Sequence, residues 1–165
     1  MIRTPQELFA HRLRTMLWVE EKLADVVLPE LFEQVHAVDL GYGIERHLLE
    51  TRTHVRTLRS ILHLIGESGD PVESAALLGL KEEHEASLAQ LDEERHEVAD
   101  LAHAEAIAQT EHFEIAAYGA LRSTANALGE EEIGTLLQEI LEQEQHALAV
   151  AERALLQLLA EKVEA

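Results

Sequence analysis

The sequence predicts an all-α protein: an antiparallel bundle of four long helices, with an additional helix in the long second connection. Three observations predict it. Leu, Ala and Glu dominate while aromatic residues make up only 4%, and unbranched side chains and Ala lose little freedom in a helix. Apolar residues recur at spacings of three and four through long stretches, which is the period of an amphipathic helix. Breakers are few, with three prolines and eight glycines, so the runs between them are long enough for helices of many turns.

The first helix is expected from Thr4 to about Val35, because Thr4 followed by Pro5 is a good N-cap and first-turn pair. Pro29 falls inside it and should bend it, since the apolar period continues through Leu31, Phe32 and Val35. The second helix is expected from Asp39 to Ile65, ending before Gly66, and residues 67–71 (Glu-Ser-Gly-Asp-Pro) read as a turn. A shorter helical piece covers about 72–92. The third helix runs from about Glu93 to Leu128, where Gly129 is a stop signal, and the fourth from Glu130 almost to the C-terminus. Short first and last connections make each pair an antiparallel hairpin, while the middle connection is long enough to cross the bundle. One long crossover between two hairpins is the ferritin-like topology, and residues 1–165 fit one such domain.

Composition narrows the function classes. The net charge is −19, from 13 basic and 32 acidic residues, and so negative a surface is repelled by phosphates, which argues against nucleic acid and anionic membranes as partners. There is no cysteine, which removes disulfides, iron–sulfur clusters and thiolate zinc sites. Any metal must be held by carboxylate and imidazole, a donor set that suits iron, manganese or zinc. No apolar stretch approaches the ~20 residues of a membrane span, and the N-terminus has no signal-peptide core. The expected location is the cytoplasm.

The apolar stripes are interrupted by acid or imidazole near the middle of each long helix. The first stripe runs Phe9, Leu13, Leu17, Glu21, Ala24, Leu28, Leu31 and Val35. The second carries His47, Thr51 and His54, the third Glu111, Glu114 and Tyr118, and the fourth Glu144. Glu21 to His54 and Glu111 to Glu144 are both 33 residues apart, as if two related hairpins delivered groups to one centre. Converging carboxylates away from water are costly. Either protons bound at raised pKa or a pair of metal ions must neutralise them. His11, His36, His63, His84, His96 and His103 show no convergent partner and read as solvated; His112 points away from its stripe, and Glu142 and His146 read as surface residues.

At these residues the chain resembles a known family. The segment Thr110-Glu-His-Phe-Glu-Ile-Ala-Ala-Tyr-Gly119 is similar to the third-helix signature of the YciF-like ferritin-like stress proteins. The stretch His47-Leu-Leu-Glu-Thr-Arg-Thr-His-Val55 resembles that family's second helix, and Val19-Glu-Glu-Lys-Leu with Leu28-Pro29 its first. By wider similarity to rubrerythrins and ferritins, the resemblance implies that Glu21, His54, Glu111, Glu114 and Glu144 ligate metal. It also implies supporting roles for His47, Glu50, Thr51 and Tyr118. The implied cofactor is a di-iron centre, with manganese or zinc as substitutes, and the implied chemistry is oxidation of Fe(II) or reduction of peroxide or dioxygen. A homodimer is expected, with an external electron donor because no cysteine-bound iron is built in.

Two departures stand out. The dinuclear pattern has a Glu where this chain has Thr51, with Glu50 one residue off, and a His where this chain has Ala147. The alternative expectation is therefore a non-catalytic, dimeric helical bundle with a degenerate or metal-free site.

Overall fold

The computed structural model describes residues 1–92 and 94–163, and no strand occurs among them. The order is α1 (Pro5–Lys22), a π-helical turn (Leu23–Val27), α2 (Leu28–Gln34), α3 (Val38–Leu64), α4 (Ala75–Leu88), α5 (His96–Leu128) and α6 (Glu131–Val163). The expected start of the third helix at Glu93 lies outside the described residues.

Each boundary has a local cause. Thr4 Oγ1 accepts the Glu7 N–H at 3.1 Å, and Pro5 follows where a missing N–H costs nothing. At the end of α5, Gly129 adopts φ 81°, and Glu130 N–H reaches back to the Ala125 carbonyl at 2.9 Å. That left-handed residue with its 6→1 bond closes the helix and turns the chain into α6. The α2–α3 corner is held from a distance. Asp100 on α5, nearly fully buried, accepts the N–H groups of His36 at 2.9 Å and Ala37 at 2.8 Å, satisfying donors at the start of α3.

Helices α1 and α3 pack together, α5 and α6 pack along their length, and α1 lies on α5 and α3 on α6. The result is the ferritin-like four-helix bundle, with α4 in the crossover resting on α5. Val72 N–H donates to the Arg14 carbonyl at 3.0 Å, which ties the crossover to α1. The core is aliphatic, with Leu13, Leu17, Leu58, Ile61, Leu62 and Leu137 wholly buried. No helix among the described residues is long and apolar enough to cross a membrane.

Ahead of Pro29, where a bend is expected, the helix changes type. Proline has no N–H, and its ring excludes the carbonyl four residues back, which here belongs to Asp25 inside the π turn. The turn widens, Leu28 N–H bonds to the Leu23 carbonyl five residues earlier, and one extra residue enters the helix.

Candidate metal centre

Among the described residues ten polar or charged ones are buried, and six of them meet at the middle of the bundle: Glu20, His47, His54, Glu111, Glu114 and Glu144. They come from α1, α3, α5 and α6, one level of the bundle reached by four helices. Two groups form there. Glu20, His54 and Glu144 each offer a ligand atom within 4.8 Å of the others, and so do His47, Glu111, Glu114 and Glu144. Glu144 belongs to both.

The expected residues His54, Glu111, Glu114 and Glu144 are thus brought together, and Glu21 is not. Glu21 turns outward, and Arg59 Nη2 donates to it at 2.8 Å on the surface. Glu20, fully buried, stands in its place. Glu20 stands three residues from Leu17 and four from Ala24, both buried, so it lies on their side of the helix, whereas the stripe through Glu21 steps by four from Phe9 onward and drifts off that side. Glu20 to His54 is 34 residues against 33 for Glu111 to Glu144, so the two hairpins still correspond once the extra residue is allowed for.

The supporting residues also sort differently from expectation. His47 is within the cluster, with Nε2 3.1 Å from Glu111 Oε1 and Nδ1 3.9 Å from Glu144 Oε2. Thr51 is buried and donates to the His47 carbonyl of its own helix at 2.9 Å. Glu50 lies at the edge, paired with Arg46 at 3.0 Å. Tyr118, wholly buried, donates its hydroxyl to Glu20 Oε1. Gln143, which the sequence did not single out, holds the other side of the His54 ring: Nε2 is 2.7 Å from Gln143 Oε1. Its position next to Glu144 was the only available signal.

Electrostatics set the protons. Burial alone disfavours a charged His54, but Glu20 and Glu144 outweigh it and push its pKa up to about 11. Its Nδ1 sits 3.3 Å from Glu20 Oε2 and 3.0 Å from Glu144 Oε1. His47 goes the other way, down to about 3, because it is buried and faces His54. Burial and neighbouring carboxylates raise Glu111 and Glu114 well above the usual carboxylate range, and burial lifts Glu144 to about 7.

Hydrogen bonds do not satisfy this cluster. Both oxygens of Glu114, both of Glu144, Glu111 Oε2 and His47 Nδ1 are buried without a hydrogen-bond partner. Glu144 Oε1 is close to His54 but not aligned for a hydrogen bond. Orphaned buried groups of this kind are rare in proteins. They are carboxylate and imidazole atoms that share one small volume, which is a fit to hard or borderline metal ions. Two small cavities reach the same residues. One, of about 30 Å³, is floored by Ala147 and rimmed by Arg46, Glu50 and His146. The other, of about 50 Å³, runs beneath α4 past His84 and Thr110. His47 and Glu111 line both.

Known proteins share this outline. Residues 4–164 match the family described as Domain of unknown function (DUF892). Protein YciF of Escherichia coli (strain K12) is 30% identical over 146 residues, which cover 87% of this chain and 85% of that protein. The crystal structure of the E. coli stress protein YciF superimposes with a TM-score of 0.88 at 26% identity, covering 96% of this chain and 99% of that one. YcfI from Rhodopseudomonas palustris gives 0.86 at 29% identity, with 92% and 94% covered. The match spans nearly the whole length, and the chain belongs to this YciF-like family.

Proposed function

We propose that the bundle holds a di-iron-type pair of metal ions and works in a stress-related role, oxidising Fe(II) or reducing peroxide or dioxygen. The carrying observation is the set of unpartnered buried atoms on Glu111, Glu114, Glu144 and His47. Glu20, His54 and Glu144 would hold one ion, and His47, Glu111, Glu114 and Glu144 the other, with Glu144 between them. When bound, iron would supply the electrons and Lewis acidity of the reaction.

The protein's own groups do the rest. Gln143 Oε1 accepts Nε2–H of His54, which leaves Nδ1 to face the ion once its proton departs. Tyr118 fixes the orientation of Glu20 through its hydroxyl. The buried aliphatic layers around the cluster exclude bulk water. A homodimer and an external electron donor complete the reading. The test is metal content after anaerobic Fe(II) loading: Glu111→Ala and Glu144→Ala should each hold less than the wild type, and equal content in all three would remove the proposal.

A second reading is a non-catalytic bundle, in line with YcfI, which is provisionally described as a structural protein. A charged His54 between Glu20 and Glu144, with protonated Glu111 and Glu114, lets the cluster neutralise itself. A thermal midpoint indifferent to Fe, Mn and Zn would favour this reading, because a ligand bound only by the folded state must stabilise it.

A further inference from the structure

Away from the buried cluster, two histidines that the sequence left as solvated meet where α4 rests on α5. His103 is 2% exposed, and its Nδ1 lies 3.1 Å from Nε2 of half-buried His84. Their rings meet edge to face with centroids 5.1 Å apart. Adjacent donors around a tetrahedral ion with metal–nitrogen bonds of about 2.0–2.1 Å stand about 3.3 Å apart. The two nitrogens therefore already hold nearly the separation that an ion would need.

We propose that His84 Nε2 and His103 Nδ1 form a second metal site, separate from the buried centre, for a borderline divalent ion such as Zn(II), Co(II) or Ni(II). Imidazole ligates in its neutral form, and burial pulls both rings down from the ordinary histidine range. In the pair as it stands one ring donates to the other. On binding, that proton shifts to the far ring nitrogen, leaving Nδ1–H on His84 and Nε2–H on His103, so neither ring need change its charge. Solvent completes the shell from the exposed side of His84.

Neighbouring charge also permits a cation. Asp100, which makes the proton on His103 easier to hold, and Glu85, which does the same for His84, are the acidic groups acting on the pair, while His36 acts against added positive charge at His103. Lys81, on the same helix, is drawn off towards Glu30 at 3.4 Å and Glu85 at 3.7 Å. His84 also lines the cavity that His47 and Glu111 line.

The test uses the full chain with the buried cluster disabled by Glu111→Ala and Glu144→Ala, so that its outcome does not depend on the proposed di-iron centre. Zn(II) titrated by calorimetry should show one equivalent bound to this protein. Adding His84→Ala should weaken that binding at least tenfold, with helix content unchanged by circular dichroism. The same comparison of His84→Ala against an otherwise wild-type chain, following the Zn(II)-dependent rise in thermal midpoint, covers the case in which the multiple variant fails to fold. Zn(II) binding or stabilisation that His84→Ala leaves unaltered overturns the site.

Discussion

Replacing Glu20 or Glu21, one at a time, by Gln separates the register seen in the structure from the one that the apolar stripe suggests. At a concentration one hundred times its dissociation constant, a bound ion adds about 2.7 kcal/mol to folding stability. For a domain of this size each kcal/mol moves the thermal midpoint by about 2–4 °C, so one ion raises it by roughly 5–11 °C and two by about twice that. Removing even an outer partner of a ligand weakens metal binding about 10–100-fold, and removing a ligand should do at least the larger. Glu20→Gln should then erase nearly all of one ion's contribution, about half of the total rise. Glu21→Gln loses only an exposed pair with Arg59, whose side chain is 60% exposed, worth about 0–1 kcal/mol, and its metal-dependent rise should equal the wild type's. The assay is differential scanning calorimetry of each protein with and without Fe(II) or Mn(II), each variant compared with its own metal-free form. A rise lost in the Glu21 variant and kept in the Glu20 variant would refute the placement of Glu20 at the centre.

Four further outcomes are expected. The metal-free protein should lose stability from pH 6.5 to 9, read as a falling thermal midpoint. The raised pKa values of His54, about 11, and Glu144, about 7, with Glu111 and Glu114 also raised, mean that the folded state holds protons which the unfolded chain releases. Metal loading should release protons in that window, detectable with a pH indicator in weak buffer, and should flatten the profile. Tyr118→Phe removes a buried donor to Glu20 and should cost about 1.5–3 kcal/mol in urea denaturation, as for hydrogen bonds to charged groups; an unchanged midpoint would show that the hydroxyl contributes nothing. Asp100→Ala strips two N–H groups at the start of α3 of their acceptor and should cost about 1–2 kcal/mol, with Asn recovering part because one acceptor oxygen remains.

By itself, the sequence determined the helical class, the two hairpins, the long crossover and the level at which polar groups interrupt the core. Those depend on residues near one another along the chain: the three-and-four period, the cap at Thr4, the stop at Gly129. It also singled out His54, Glu111, Glu114 and Glu144, because one α-helical register runs unbroken along each of α3, α5 and α6. Tertiary structure decided the rest. Glu20 keeps α-helical spacing from the buried Leu17 and Ala24, yet only the packed helices showed that it, and not its neighbour Glu21, faces the centre. His47 joined the cluster, and His84 met His103, only because separate helices pack together at particular angles and heights. Periodicity says which side of a helix faces inward, but it does not say which atoms on neighbouring helices stand a bond length or two apart.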